Sequence, residues 1–102
     1  MTSFDFLSNL NAQKTDGMFV SGDEENGEYK RWYANGQLWE HRFYKNGKLN
    51  GECKSWLNNG KLNTHCFYKN GKSDGEYKLW NSNGQLCAHR FYKNGKLEKR
   101  II

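Results

Sequence analysis

The sequence predicts an all-β chain: an elongated, twisted antiparallel meander of stacked β-hairpins, about seven strands long. Three observations carry this prediction. The 102 residues repeat themselves with a period of 24. Six Asn-Gly pairs, two inside each unit, fall at alternating spacings of 11 and 13 residues. Proline is absent, so every strand position keeps its ladder donor.

The repeat has three units, 27–50, 51–74 and 75–98, and 14 of its 24 columns are identical in all three. They include Gly27/Gly51/Gly75, Glu28/Glu52/Glu76, Lys30/Lys54/Lys78, Trp32/Trp56/Trp80, Leu38/Leu62/Leu86, His41/His65/His89, Phe43/Phe67/Phe91 and Tyr44/Tyr68/Tyr92. A fixed period of this length signals an array in which each unit packs on its neighbours.

The elements follow in chain order. Residues 1–18 precede the repeats and carry Phe4, Phe6, Leu7 and Leu10, the makings of a cap or of a handle for a partner. The array itself is expected over 19–102. Within it, each Asn-Gly tolerates the positive φ that both central residues of a type I′ turn require. Six two-residue hairpins are therefore expected.

Turning at Asn35-Gly36 sets Arg31 opposite Glu40 and Trp32 opposite Trp39. The turn at Asn46-Gly47 sets Tyr44 opposite Leu49 and His41 opposite Glu52. Cys53 falls opposite Cys66 by the same counting. Directly opposed residues share a sheet face. The Trp, His, Phe, Glu and Lys30/Lys54/Lys78 columns then lie on one face. Leu38/Leu62/Leu86, Tyr44/Tyr68/Tyr92 and Tyr29/Cys53/Tyr77 lie on the other. Gly27, Gly51 and Gly75 come opposite Tyr44, Tyr68 and Tyr92, where a missing side chain leaves room for a ring. After the third unit, Lys99, Arg100, Ile101 and Ile102 replace the GEYK-type opening. Ile101 and Ile102 are thus expected on an unpaired strand, a candidate edge for oligomer formation.

The phrases GEYKRWYANGQL, GECKSWLNNGKL and GEYKLWNSNGQL are each followed by H-x-F-Y-K-N-G-K. Together they resemble MORN repeats, in the variant seen in bacterial antitoxin-like proteins and large DNA viruses. The resemblance runs from Phe19 to about Glu98. It implies stacked hairpins and a non-catalytic role in binding or assembly. The chain lacks the second glycine pair of the commoner MORN pattern, so functions of that form transfer poorly.

The residues themselves point away from catalysis. His41, His65 and His89 sit one repeat apart, roughly 9–10 Å in a meander. Zinc ligands must all lie about 2 Å from one ion, so this column holds no metal unaided. The expected role of each histidine is cross-strand pairing with a lysine and a glutamate. Cys87 and His89 share a face, but about 6.5 Å of strand separates them, a poor nucleophile–base pair. Cys53 and Cys66 are either packed thiols or a latent disulfide. The start MTSFDFLSNL has neither a basic opening nor an unbroken apolar run, so thiols in a reducing compartment are expected. Phosphate loops, nucleophile elbows and paired carboxylates do not occur in the sequence. Neither an enzyme nor a cofactor is expected.

The lysines stand apart. K-N-G-K occurs three times, always on the same long edge, bringing Lys45, Lys48, Lys69, Lys72, Lys93 and Lys96 into one row. The opposite edge carries A-N-G-Q, N-N-G-K and S-N-G-Q, with Lys61 as its one charge. Facing lysines across a turn add nothing to the sheet. Either they keep the edge soluble or they bind phosphates or carboxylates, with Arg42 and Arg90 near the same end of their strands. The formal net charge of +5 is mild, so its distribution matters more than its size.

The expected partners are a protein or a second copy of the chain, within a homo-oligomer or a larger assembly such as a virion. Anionic lipid or nucleic acid is the alternative for the lysine edge. An antitoxin-type role against a toxin is a further alternative that rests on the resemblance. No apolar run reaches membrane-spanning length. A cytoplasmic location is expected.

Overall fold

The computed structural model describes residues 19–102. The expected cap over 1–18 lies outside the described residues. Ten strands follow in order: β1 (Phe19–Ser21), β2 (Gly27–Trp32), β3 (Leu38–Lys45), β4 (Lys48–Leu49), β5 (Gly51–Trp56), β6 (Leu62–Lys69), β7 (Lys72–Ser73), β8 (Gly75–Trp80), β9 (Leu86–Lys93) and β10 (Lys96–Arg100). They form one antiparallel sheet in the order β1-β2-β3-β5-β6-β8-β9-β10, with β4 and β7 paired to β3 and β6. Pairs β4/β5 and β7/β8 are each one strand interrupted at Asn50 and Asp74. Counted so, the seven expected strands are present, with β1 added in front of them.

The molecule measures 45 × 35 × 15 Å, the thickness of a single sheet with its side chains. Small shares of apolar surface are therefore hidden. Tyr29, Cys66 and Ala88 are the buried apolar residues among those described. Long-range order comes instead from the ladders, from half-buried aromatic columns and from contacts that repeat at every unit.

The six Asn-Gly pairs inside the units divide into two turn types. At the K-N-G-K turns both central residues have positive φ: Asn46 51° and Gly47 78°, Asn70 50° and Gly71 83°, Asn94 50° and Gly95 82°. Lys45 pairs with Lys48, Lys69 with Lys72 and Lys93 with Lys96. These are the expected two-residue hairpins.

The other three turns are not. Tyr33 N–H donates to Gln37 O at 2.9 Å and Gly36 N–H to Tyr33 O at 3.0 Å, which closes a three-residue loop. Only the glycine has positive φ there, 89° at Gly36. An asparagine side chain explains the difference, that of the Asn-Gly pair in the first two turns and Asn81, two residues before Asn83, in the third. Asn35 Oδ1 accepts the Gln37 N–H at 2.9 Å, and Asn59 Oδ1 the Lys61 N–H at 3.0 Å. Such side-chain-closed turns keep Asn out of the left-handed region and leave that conformation to glycine.

The third residue of the loop is absorbed by a β-bulge between Arg31 and Trp32. Trp32 therefore pairs with Leu38, not with Trp39 as the two-residue count required. Trp56 and Trp80 likewise pair with Leu62 and Leu86. This moves the Leu38/Leu62/Leu86 column to the tryptophan face. It sends Trp39 to the tyrosine face, where it stacks on Tyr33 at 5.1 Å between ring centroids and lies under the Arg31 guanidinium at 4.2 Å.

Beyond the bulge the expected pairs hold: Arg31 with Glu40, Cys53 with Cys66, and Gly27, Gly51 and Gly75 with Tyr44, Tyr68 and Tyr92. The glycines have a different job from the one expected. Gly51 and Gly75 have φ of 118° and 116°. A side chain at Gly75 would also press on Phe67 Cβ at 3.4 Å. The positive φ favours glycine here, not the opposing tyrosine ring.

A second register shift sits at these glycines. Tyr44 pairs with Leu49, yet His41 pairs with Lys54, so three residues back on β3 correspond to five forward on its partner. The expected pairing of His41 with Glu52 is lost. A shift of two residues leaves every side chain on its own face, so the face assignments of the His, Phe, Glu and Lys columns stand.

Candidate functional site

The K-N-G-K edge is built by stacking one turn on the next. The Gly71 N–H donates to Leu49 O and the Gly95 N–H to Ser73 O, each at 2.8 Å. Beside them, the Asn70 N–H donates to Asn50 Oδ1 at 3.0 Å and the Asn94 N–H to Asp74 Oδ1 at 3.2 Å. The first turn docks in the same way, Gly47 N–H on Glu25 O at 2.9 Å and Asn46 N–H on Asn26 Oδ1 at 3.0 Å. The Asn26/Asn50/Asp74 column that does this was legible as the residue before each repeat glycine, but a ladder register alone gives it no partner.

Stacking fixes where the lysines sit. All six are exposed. A Cβ at Gly71 would lie 3.6 Å from the Lys48 Cβ, and one at Gly95 3.6 Å from the Lys72 Cβ. The stems of Lys48 and Lys72 thus run over the glycine of the following turn while their ammonium groups stay in water. Turns two strands apart recur roughly every 9–10 Å. Two carboxylates lie beside this edge, Glu25 close to Gly47 and Asp74 on the Asn94 N–H. Among the described residues none of the six lysines has a carboxylate within 4.0 Å. The sequence brought these lysines together, and the structure does too.

The lysines on the tryptophan face are different. Lys30, Lys54 and Lys78 approach Glu28, Glu52 and Glu76 at 3.8, 3.7 and 3.5 Å. The same carboxylates take His41, His65 and His89 Nε2 at 2.7, 2.7 and 2.6 Å. Each histidine ring leans on the phenylalanine two residues on, with centroids 5.1 to 5.4 Å apart. Each His–Glu–Lys group is closed on itself. The glutamate comes from the preceding strand, not the following one, as the shifted register dictates. The hydrogen bond from His65 and the charge of Lys54 hold the Glu52 carboxyl below its ordinary pKa, and His89 and Lys78 do the same for Glu76. Among the described residues no group of three His, Cys, Asp or Glu side chains is placed to hold a metal.

On the tyrosine face, Arg42 hydrogen-bonds Glu40 and donates to the Tyr44 hydroxyl at 2.8 Å. Burial works against its charge, and the Glu40 contact outweighs this to raise its pKa. Arg42 is therefore spent within the sheet, not added to the lysine edge. Cys53 and Cys66 are free thiols directly opposite one another. Their shared hydrogen bond and burial push the Cys53 thiol well above its ordinary pKa. At the far strand, Ile101 and Ile102 are half exposed, and their N–H groups donate to His89 O at 2.8 and 3.1 Å.

A model of the MORN repeat variant family matches residues 25–46, 49–70 and 73–94. A comparison with curated proteins returned no match. Among the described residues no helix is long and apolar enough to cross a membrane.

Proposed function

The chain belongs to the MORN repeat variant family, and from that premise we propose that it is a protein-binding module whose K-N-G-K edge receives an acidic surface. MORN repeats are non-catalytic and generally mediate protein or membrane-lipid interactions. One observation carries the finer reading: this chain has two classes of lysine. Those on the tryptophan face are neutralised by glutamates of their own repeat. Those on the turn edge are held in a row, by backbone bonds from turn to turn, without carboxylates of their own. Turns held at a fixed spacing present their ammonium groups to a row of carboxylates without further ordering of the backbone.

The test is binding of a capped decaglutamate peptide across a salt series. The triple variant Lys45→Gln, Lys69→Gln, Lys93→Gln keeps the packed Lys48 and Lys72 stems. It is expected to bind more weakly and with a flatter salt dependence. Equal binding by parent and variant at every salt concentration refutes the reading. Vesicles of phosphatidylserine and phosphatidylcholine run in parallel, and tighter binding there than to the peptide turns the assignment to lipid.

A second reading has its own observation. Leu97, Ile101 and Ile102 are 52%, 50% and 47% exposed along the outer strand. A second copy of the chain that adds its own edge to β10 would cover them.

A further inference from the structure

Arg90 and Arg100 stand directly opposite each other on β9 and β10. Residues so placed share a face, and like charges there repel. The face is the tyrosine face. Tyr77 lies directly opposite Arg90 on β8, and Tyr92 lies two residues along β9, with its ring edge-on to Tyr77 at 6.1 Å. The Nε of Arg90 is shut off from solvent and meets no acceptor. Among the described residues neither arginine has a carboxylate within 4.0 Å. The acids nearest in sequence do not serve them. Glu76 is taken by His89 and Lys78 on the other face, and Glu98 makes no ion pair where β10 bulges.

The first repeat tells what is missing. There the same position is Arg42, flanked by Tyr29 and Tyr44, and its charge is met by Glu40. The middle repeat has replaced both partners, with Thr64 and Cys66. The third repeat keeps the arginine and both tyrosines but has Ala88 where Glu40 stands. Only there is the guanidinium retained without its acid, and only there does a second arginine face it. A desolvated donor without an acceptor is costly, and a carboxylate is the group this setting accommodates elsewhere in the chain.

We propose that Arg90 and Arg100 bind a carboxylate presented by a partner protein, an Asp or Glu side chain that fills the role Glu40 plays in the first repeat. Tyr77 and Tyr92, packed edge-on beside Arg90, supply the aromatic border of the site. The site lies on the sheet face rather than on the lysine edge. It rests on the protein-binding reading but is separable from it.

The experiment follows the Nε–Hε signals of both arginines by NMR in the full chain. A capped tetrapeptide with one glutamate is titrated, and inorganic phosphate is titrated in parallel. Saturable shifts at Arg90 and Arg100 with the peptide are expected, with the amides of Asn46-Gly47 and Asn70-Gly71 unmoved. Arg100→Gln, at an exposed position, should weaken the peptide about tenfold or more, the scale of a lost charge-assisted hydrogen bond. Ala88→Glu should reproduce the Arg90 shift without peptide and block its binding. Because Ala88 is buried, Arg100→Gln decides the matter if that variant does not fold. Unresponsive arginines, an Arg100→Gln variant that binds like the parent, or tighter binding of phosphate than of peptide would each overturn the proposal. Shifts confined to the lysine turns would also overturn it, while leaving the lysine-edge reading intact.

Discussion

The Oε2 of Glu52 accepts the ring of His65 at 2.7 Å while the ammonium of Lys54 stands 3.7 Å from the same oxygen. The His65 hydrogen bond, the larger influence, and the nearby Lys54 charge lower its pKa in the folded state below the ordinary carboxylate value of 4.5. A depressed carboxylate contributes stability that is present above the unfolded pKa and is lost as pH falls through the folded one. Thermal unfolding at descending pH should therefore show the loss beginning near pH 4.5 and continuing below it. Glu52→Gln should remove that part of the pH dependence. The Glu52 side chain is 41% exposed, so after solvent screening its share at neutral pH is under about 1 kcal/mol. An unchanged acid profile in Glu52→Gln would refute the assignment.

Gly75 and Gly84 should respond very differently to alanine. Both have positive φ, 116° and 83°. At Gly75 a Cβ would also meet the Phe67 Cβ at 3.4 Å, whereas at Gly84 it meets nothing within 4 Å. Chemical denaturation should show Gly75→Ala costing about 1–3 kcal/mol, as for a non-glycine residue held in a sparsely populated region. Gly84→Ala should cost about 1 kcal/mol. The reverse order would contradict the turn geometry.

Asn50 binds the Asn70 N–H at 3.0 Å through its side chain, and Asp74 does the same for the Asn94 N–H at 3.2 Å. Asn50→Ala should therefore destabilise the array by about 0.5–1.5 kcal/mol. Asn50→Asp, which copies the third turn, should be close to neutral. Amide hydrogen exchange should locate the effect of the alanine at Asn70 and Gly71. Equal effects of the two substitutions would mean the side chain does not carry the stacking.

Self-association should depend on the outer strand. Sedimentation of the parent should reveal a species above 12.0 kDa that the double change Ile101→Lys, Ile102→Lys removes. These positions are 50% and 47% exposed, so folding should survive. A parent that stays monomeric at high concentration would count against the second reading.

Much of this was legible in the sequence, and the particular residues say why. The period of 24 and the Asn-Gly pairs fixed the meander, the pairing of Cys53 with Cys66 and the gathering of the lysines on one edge. The meander and the lysine edge depend only on period and alternation, while the cysteine pair keeps its expected register because the bulge at Ser55/Trp56 cancels the extra loop residue. Trp39 was misplaced because identical Asn-Gly dipeptides make two kinds of turn. The choice depends on whether the asparagine side chain closes the loop, as Asn35 does on the Gln37 N–H. His41 was given the wrong neighbour because Gly51 adopts a φ of 118° and slips the ladder by two.

The sequence by itself determined the repeat, the strand direction and the face of the His, Phe, Glu and Lys columns, because alternation survives any slip by an even number of residues. Only the tertiary structure decided which charges are satisfied. Whether His65 meets Glu52, and whether Arg90 meets Arg100 rather than an acid, depends on cross-strand register and on bulges. The Arg90–Arg100 pairing turns on a bulge between Leu97 and Lys99, and the stacking of successive turns on bonds that span 20 residues, neither of which leaves a local pattern to read.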